Sequence, residues 1–130
     1  MKPLICAIWM ASTLFVVAPL EASEKPEVEY KARLSAGDHV DASGRKLSGV
    51  AKILLQDRMN VHVHDKGDPE DEGESYFADK QNRRRLCRRV RASKIDVKTR
   101  DAIEKGTPLV RVRVFQGHIE VELLELPKQP

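Results

Sequence analysis

Apolar and charged residues alternate in three short segments of the chain, which is the pattern of a β-strand with one buried face. The first segment spans residues 28–34, and its inward side is predicted to be Val28, Tyr30, Ala32 and Leu34. The other two span residues 110–114 and 119–123. The pattern therefore predicts one strand near the start of the folded domain and two near its end.

The last two segments predict a hairpin with a single favoured register. If residues 116–117 form a two-residue turn, Val112 faces Val121, and on the other side of the hairpin Arg111 faces Glu122. A shift by one residue would break both faces at once. Because an isolated hairpin is marginal in water, another strand or a helical layer must complete it.

Apolar residues at helical spacing predict a first helix over residues 47–60. A second helix is predicted over residues 76–91, and a third within residues 93–105, where Ser93 and Asp96 have capping-box spacing. Together the elements predict an α+β fold. Its small antiparallel sheet, the N-terminal strand plus the C-terminal hairpin, packs against two or three helices.

The segment before the first strand has the pattern of a secretory signal peptide. It opens with Lys2, is apolar from residue 4 to residue 20 and ends in small residues. Cleavage after Ala22 would leave residues 23–130 as one small domain, periplasmic or secreted, with no transmembrane segment. The alternative is an uncleaved anchor, for which the apolar run is at the short limit of what spans a hydrocarbon core of about 30 Å.

Positive charge is concentrated in the predicted second helix. Between residues 83 and 91 the sequence has six arginines and no lysine. Arginine is suited to binding carboxylate and phosphate groups, whereas the aromatic residues that stack on bases are absent, which argues against nucleic acid. A protein or an anionic surface beyond the inner membrane is the expected partner. The predicted partner-binding residues are Arg83, Arg84, Arg85, Arg88 and Arg89.

The acidic loop, residues 65–74, offers both an alternative role for these arginines and a candidate metal site. Its carboxylates would neutralise the arginines internally if the two segments were in contact. The loop also weakly resembles an EF-hand calcium loop, with alternating acids, a glycine and a closing acid. By that resemblance calcium would be the cofactor, but two of the acids are longer, and the last is shorter, than the pattern requires. The ligands would be Asp68, Glu70, Glu72 and Asp79.

Other candidate chemistry is weaker. His62 and His64 have the spacing of two metal ligands on a strand, and with Asp57 and Arg58 they form the alternative of a small enzyme site. No nucleophile or phosphate-binding motif is present. Cys87, the single cysteine after cleavage, is either a buried or a reactive thiol. The leading hypothesis is a small exported, non-enzymatic binding protein; the alternative is a protein that binds calcium or a transition metal, and a small periplasmic enzyme comes third.

Overall fold

The computed structural model describes residues 14–17 and 23–125. In those ranges it contains three α-helices and one three-stranded antiparallel sheet, which confirms the predicted α+β class. The predicted cleavage point after Ala22 lies outside the described residues. The strands are β1 (Val28–Arg33), β2 (Leu109–Val114) and β3 (Ile119–Glu125), in the order β1-β2-β3. The helices are α1 (Val50–His62), α2 (Lys80–Ala92) and α3 (Val97–Lys105).

The predicted hairpin register is confirmed. Val112 pairs with Val121, and Arg111 pairs with Glu122. On the other side of β2, Tyr30 of β1 pairs with Val112, so β2 is the central strand. Since side chains alternate along a strand, one face of the sheet is apolar and the other is charged.

The apolar face of the sheet packs against the helices and forms the core. The core residues that are almost fully inaccessible to solvent are Tyr30, Ala32, Leu34, Ile53, Leu54, Phe77, Leu86, Ile103, Val110, Val112 and Val114. The opposite face carries a ladder of ion pairs, in which Arg113 Nε lies 2.8 Å from Glu29 Oε2. The sheet is therefore covered by helices on one side only.

Two helices begin later than the apolar spacing predicts. α1 begins at Val50 because Gly49 has φ +93°, a left-handed conformation that a helix cannot include. Before α2, residues Tyr76–Ala78 form a separate 3-10 turn and Asp79 is extended. The Asp79 carboxylate accepts a hydrogen bond from the N–H of Gln81 and so caps α2. The continuous helix predicted from residue 76 was therefore wrong at its first turn.

The predicted cap of α3 is also corrected. Asp96, and not Ser93, precedes the helix, and its carboxylate accepts from the N–H of Thr99 at 2.9 Å. The Ser93 hydroxyl instead donates to the carbonyl of Arg89 and accepts from the N–H of Ile119. Ser93 thereby connects the end of α2 to the beginning of β3.

The described part of the apolar leader does not join the core. Residues 14–17 have no regular secondary structure, and their side chains are between 82% and 88% exposed. Within the described ranges, no helix is both long and apolar enough to cross a membrane.

Candidate functional site

Helix α2 carries the arginine cluster, and its two faces differ in polarity. Leu86 and Val90 face the core. At about 100° per residue, Arg84, Arg85 and Arg88 lie on the opposite face, and all three are exposed. The helix is thus amphipathic, with guanidinium groups forming most of its outer surface.

Two of the predicted partner-binding arginines are engaged within the domain. Arg83 donates from Nη1 to the carbonyl of Phe77 at 2.6 Å, which closes the 3-10 turn before α2. Arg89 is only 9% exposed and donates to Glu27 Oε2 at 2.9 Å and to the Tyr76 hydroxyl at 2.7 Å. Both side chains stabilise the position of α2 and are not available to a partner in this arrangement.

The remaining three form the outward surface. The side chains of Arg84, Arg85 and Arg88 have no hydrogen bond or ion pair with any residue that the structure describes. Hydrogen bonds from Tyr76 and Arg89 hold the pKa of Glu27 below its ordinary value, and the positive charge of Arg85 lowers it further without a direct contact. Exposed guanidinium groups without internal partners are what an anion-binding surface requires.

A groove of about 430 Å³ lies between α2 and the β2–β3 turn. Arg85, Arg88 and Arg89 line it from the helix, and the turn at residues 116–117 lines it from the sheet. Glu27 is also part of the lining, but its carboxylate is already paired with Arg89. The groove is therefore a concave, positively charged surface.

A second cleft, of about 400 Å³, lies where α2 meets α3 and the first turn of α1. Lys52, Arg91 and Arg100 line it, together with Glu104. Arg100 donates to the carbonyl of Ile95 at 3.3 Å, while the side chains of Lys52 and Arg91 form no ion pair within the described part of the chain. Nothing in the sequence marks Lys52 or Arg100 as part of a site, because only helix packing brings them close to Arg91.

The acidic loop completes the outer edge of β1. Glu70 Oε2 lies 2.6 Å from Arg33 Nη2. Asp71 accepts from the backbone N–H of Arg33, and Glu72 from the backbone N–H of Lys31, each at 2.8 Å. The N–H of Glu72 also donates to the carbonyl of Lys31. The loop thus supplies the acceptors that a neighbouring strand would otherwise provide.

The four acids of the predicted calcium loop lie in separate surroundings. Asp79 caps α2, Glu70 pairs with Arg33, Glu72 binds the edge of β1, and Asp68 donates its backbone N–H to Asp71 Oδ2. Across residues 14–17 and 23–125, no group of three or more His, Cys, Asp or Glu is arranged to hold a metal ion.

Three of the four residues of the alternative enzyme site, Asp57, Arg58 and His62, form a largely buried polar cluster with Glu74. Asp57 and Arg58 are both 0% exposed, with Arg58 Nε 2.7 Å from Asp57 Oδ2. Arg58 Nη1 lies 3.0 Å from Glu74 Oε1, and its guanidinium lies 4.0 Å from the centre of the Tyr30 ring. His62 Nε2 also contacts Glu74. Asp57 and Arg58 are inaccessible to solvent, and the arrangement is that of a buried structural cluster.

Burial shifts the pKa of two carboxyls, that of Asp57 on α1 and that of Asp38 in the 3-10 turn Ala36–His39. Burial raises the pKa of Asp57, although the charge of Arg58 and its hydrogen bond oppose the shift. It also raises the pKa of Asp38 to about 6, although Asp38 accepts hydrogen bonds from Asn60 Nδ2 at 2.8 Å and from the Ser35 N–H at 3.0 Å. These groups lie inside the domain, whereas His64 is exposed beyond the end of α1 and is not part of the cluster.

Cys87 has the features of a packed thiol. It is half-buried on α2, and its Sγ lies 3.8 Å from the carbonyl oxygen of Ala51. Burial raises the pKa of the thiol, although the charges of Arg91 and Lys52 oppose the shift. A thiol kept in its protonated form is a poor nucleophile, which favours the buried-thiol interpretation.

Comparison with known proteins gives no relative from which to transfer a function. No protein-family model matches the chain, and neither the curated proteins nor the solved structures contain a significant match. The function must therefore be inferred from the side chains that the fold exposes.

Proposed function

We propose that this chain is a small exported binding protein, not an enzyme, that recognises an anionic partner through the outward arginines of α2. One observation supports this most directly. Arg84, Arg85 and Arg88 are exposed and have no ion pair with a described residue, while the ion pairs that the acidic loop makes with described residues involve Arg33, Arg58 and His62. Internal neutralisation by the loop therefore does not account for the cluster.

Charge repulsion makes the cluster costly in the absence of a partner. Arg84 and Arg88 are four residues apart on one helix face, and like charges at that spacing destabilise a helix by about 0.2–0.5 kcal/mol per pair. An anion held between such side chains would relieve the repulsion and would accept charge-assisted hydrogen bonds. The groove beside Arg85 and Arg88 is a concave surface in which that anion could bind.

Export is the second part of the proposal. The apolar leader of residues 4–20 has the composition of a signal peptide, and the described residues within it, 14–17, add nothing to the core. The partner would then be a protein or an anionic surface in the periplasm or outside the cell.

Binding of three anionic probes tests the proposal. The probes are fluorescent poly-glutamate, heparin and vesicles containing phosphatidylglycerol. We expect the unaltered protein to bind at least one of them, and more weakly as salt is added, because exposed charges are screened over about 8 Å at physiological ionic strength. The double variant R85E/R88E should lose this binding by tenfold or more while melting at nearly the same temperature.

The matched control is Lys66→Glu, which reverses the charge of an exposed lysine outside α2, in the segment that follows the C-terminal end of α1. It should leave probe binding unchanged. Equal binding by R85E/R88E and the unaltered protein, or no binding of any probe, would overturn the proposed function.

A further inference from the structure

The cationic side chains around α2 lie in two concavities on opposite flanks of the helix. Arg88 lies near the middle of the outward face, and Arg85 and Arg91 are displaced from it by about 60° to either side, given 3.6 residues per turn. Arg85 lines the groove beside the β2–β3 turn, whereas Arg91 lines the cleft formed with α1 and α3. A ligand that used both would have to cross the helix.

Each concavity has the same charge balance. The groove is lined by three cationic side chains and one carboxylate, Glu27, which is occupied by Arg89. The cleft is likewise lined by three cationic side chains and one carboxylate, Glu104. In each, the side chains of two cations have neither a hydrogen bond nor an ion pair with a described residue: Arg85 and Arg88 in the groove, and Lys52 and Arg91 in the cleft.

We infer that the partner is an acidic peptide segment that crosses α2 in an extended conformation and places one acidic cluster in each concavity. This inference rests on the proposed function and specifies its ligand. A flat anionic surface, such as a layer of lipid headgroups, would contact Arg84 and Arg88 on the outward face but could not fill both flanks. A peptide chain can follow the convex helix and enter both.

The geometry sets the spacing of the two clusters. Arg85 and Arg91 are six residues apart on the helix, which is about 9 Å along its axis. With their displacement to opposite flanks of a helix about 10–12 Å wide, the two anion positions are roughly 10–15 Å apart. An extended chain advances about 3.3 Å per residue, so the acidic clusters should be three to four residues apart.

Peptides with the same four acidic residues and different spacing test this arrangement. Each peptide contains two Asp-Asp pairs, joined by no linker, by a Gly-Ser linker of about three residues, or by one about three times longer. We expect the peptide with the three-residue linker to bind about tenfold more tightly than the other two. Once its first Asp-Asp pair is bound, this linker gives the second pair the highest effective concentration at the other concavity. Arg85→Glu and Arg91→Glu should each remove this preference, and Lys66→Glu should not.

The outcomes separate this inference from the proposed function. Affinity that is independent of the linker, or preference that survives Arg91→Glu, would overturn the crossing peptide while leaving an anion-binding helix in place. Binding to phosphatidylglycerol vesicles without binding to any of the peptides would also overturn it and would make a lipid surface the partner. Melting curves for each variant establish that a lost preference is not lost folding.

Discussion

At the scale of single residues, Arg58 is the group on which the polar interior depends most. Its guanidinium contacts Asp57 and Glu74 and lies against the Tyr30 ring. Arg58→Met should lower the free energy of unfolding by about 3–5 kcal/mol, because it leaves buried carboxylates without their cation. Urea denaturation measures this difference.

Two further variants distinguish the charge effect from a loss of packing. Asp57 has Arg58 as its ion-pair partner, so the double variant D57N/R58M should recover part of the lost stability. Arg45→Met, at an arginine whose side chain is 80% exposed and pairs with Asp41, should cost at most about 1 kcal/mol. A double variant no more stable than R58M would show that the unpaired charge is not the cause.

Asp38 makes stability depend on pH. Burial raises its pKa in the folded state from the ordinary 3.8 to about 6. Between about pH 4 and about pH 6 the folded protein keeps a proton on Asp38 that the unfolded chain has released. The contribution of Asp38 to the free energy of unfolding therefore falls as the pH rises through this range.

The variant Asp38→Asn lacks this proton. The free energy of unfolding of the unaltered protein, minus that of D38N, should therefore decrease by on the order of 2 kcal/mol between about pH 4 and pH 7. Denaturation series across this range give the difference at each pH. A difference that stays constant, or grows, with pH would contradict the assignment.

Sequence pattern identified the polar positions on α1 but not their role. Asp57, Arg58 and Asn60 stand out because they interrupt an apolar helix. Their partners lie far along the chain: Asn60 binds Asp38, 22 residues away, and Arg58 binds Glu74, 16 residues away. Contacts of this kind are made by the fold, so sequence spacing could not distinguish an enzyme site from a buried cluster.

At the scale of elements, the hairpin was predictable because its two faces impose the same register. The structure buries Val112 completely in the central strand, between Tyr30 and Val121. Val112→Asp should therefore cost more than about 3 kcal/mol, since it buries an unpaired charge. Arg111→Gln removes partly exposed ion pairs to Glu122 and Glu29 and should cost less than about 1 kcal/mol.

Thermal and urea unfolding of the two variants rank the effects. The predicted order follows from burial rather than from the number of contacts, since Arg111 has two ion pairs and Val112 has none. If Arg111→Gln were the more destabilising variant, the exposed ladder, and not the apolar face, would be the main source of stability in the sheet.

The acidic loop was not predictable at this scale. Alternating carboxylates are compatible with a solvated loop, with internal neutralisation and, as a weak match, with a calcium site. The structure shows a different use: the carboxylates of Asp71 and Glu72 accept from backbone N–H groups of β1. These contacts could not be predicted from the sequence, because β1 is known to be an edge strand only once the order of the strands is known.

At the scale of the whole molecule, a small net charge conceals a strong segregation of charge. The formal net charge is only +3, yet the loop acids lie along β1 and beside Arg58, while the unpaired arginines lie on the outer face of α2. The arginine helix was evident from sequence alone. The cleft with Lys52 and Arg100 was not, because it depends on how three helices meet.

The leader gives a prediction for the complete chain. The core closes around residues from β1 onward, and the described leader residues 14–17 remain more than four-fifths exposed. Because the core closes without residues 14–17, we retain the proposal that the run is a targeting segment that is removed. Mass spectrometry of the exported protein should find Ser23 as the first residue. The chain of residues 23–130, produced alone, should melt within a few degrees of the full-length protein. An intact leader on the exported protein would contradict the prediction, as would a much lower melting temperature of residues 23–130. Either result would show that residues 1–22 are part of the mature protein.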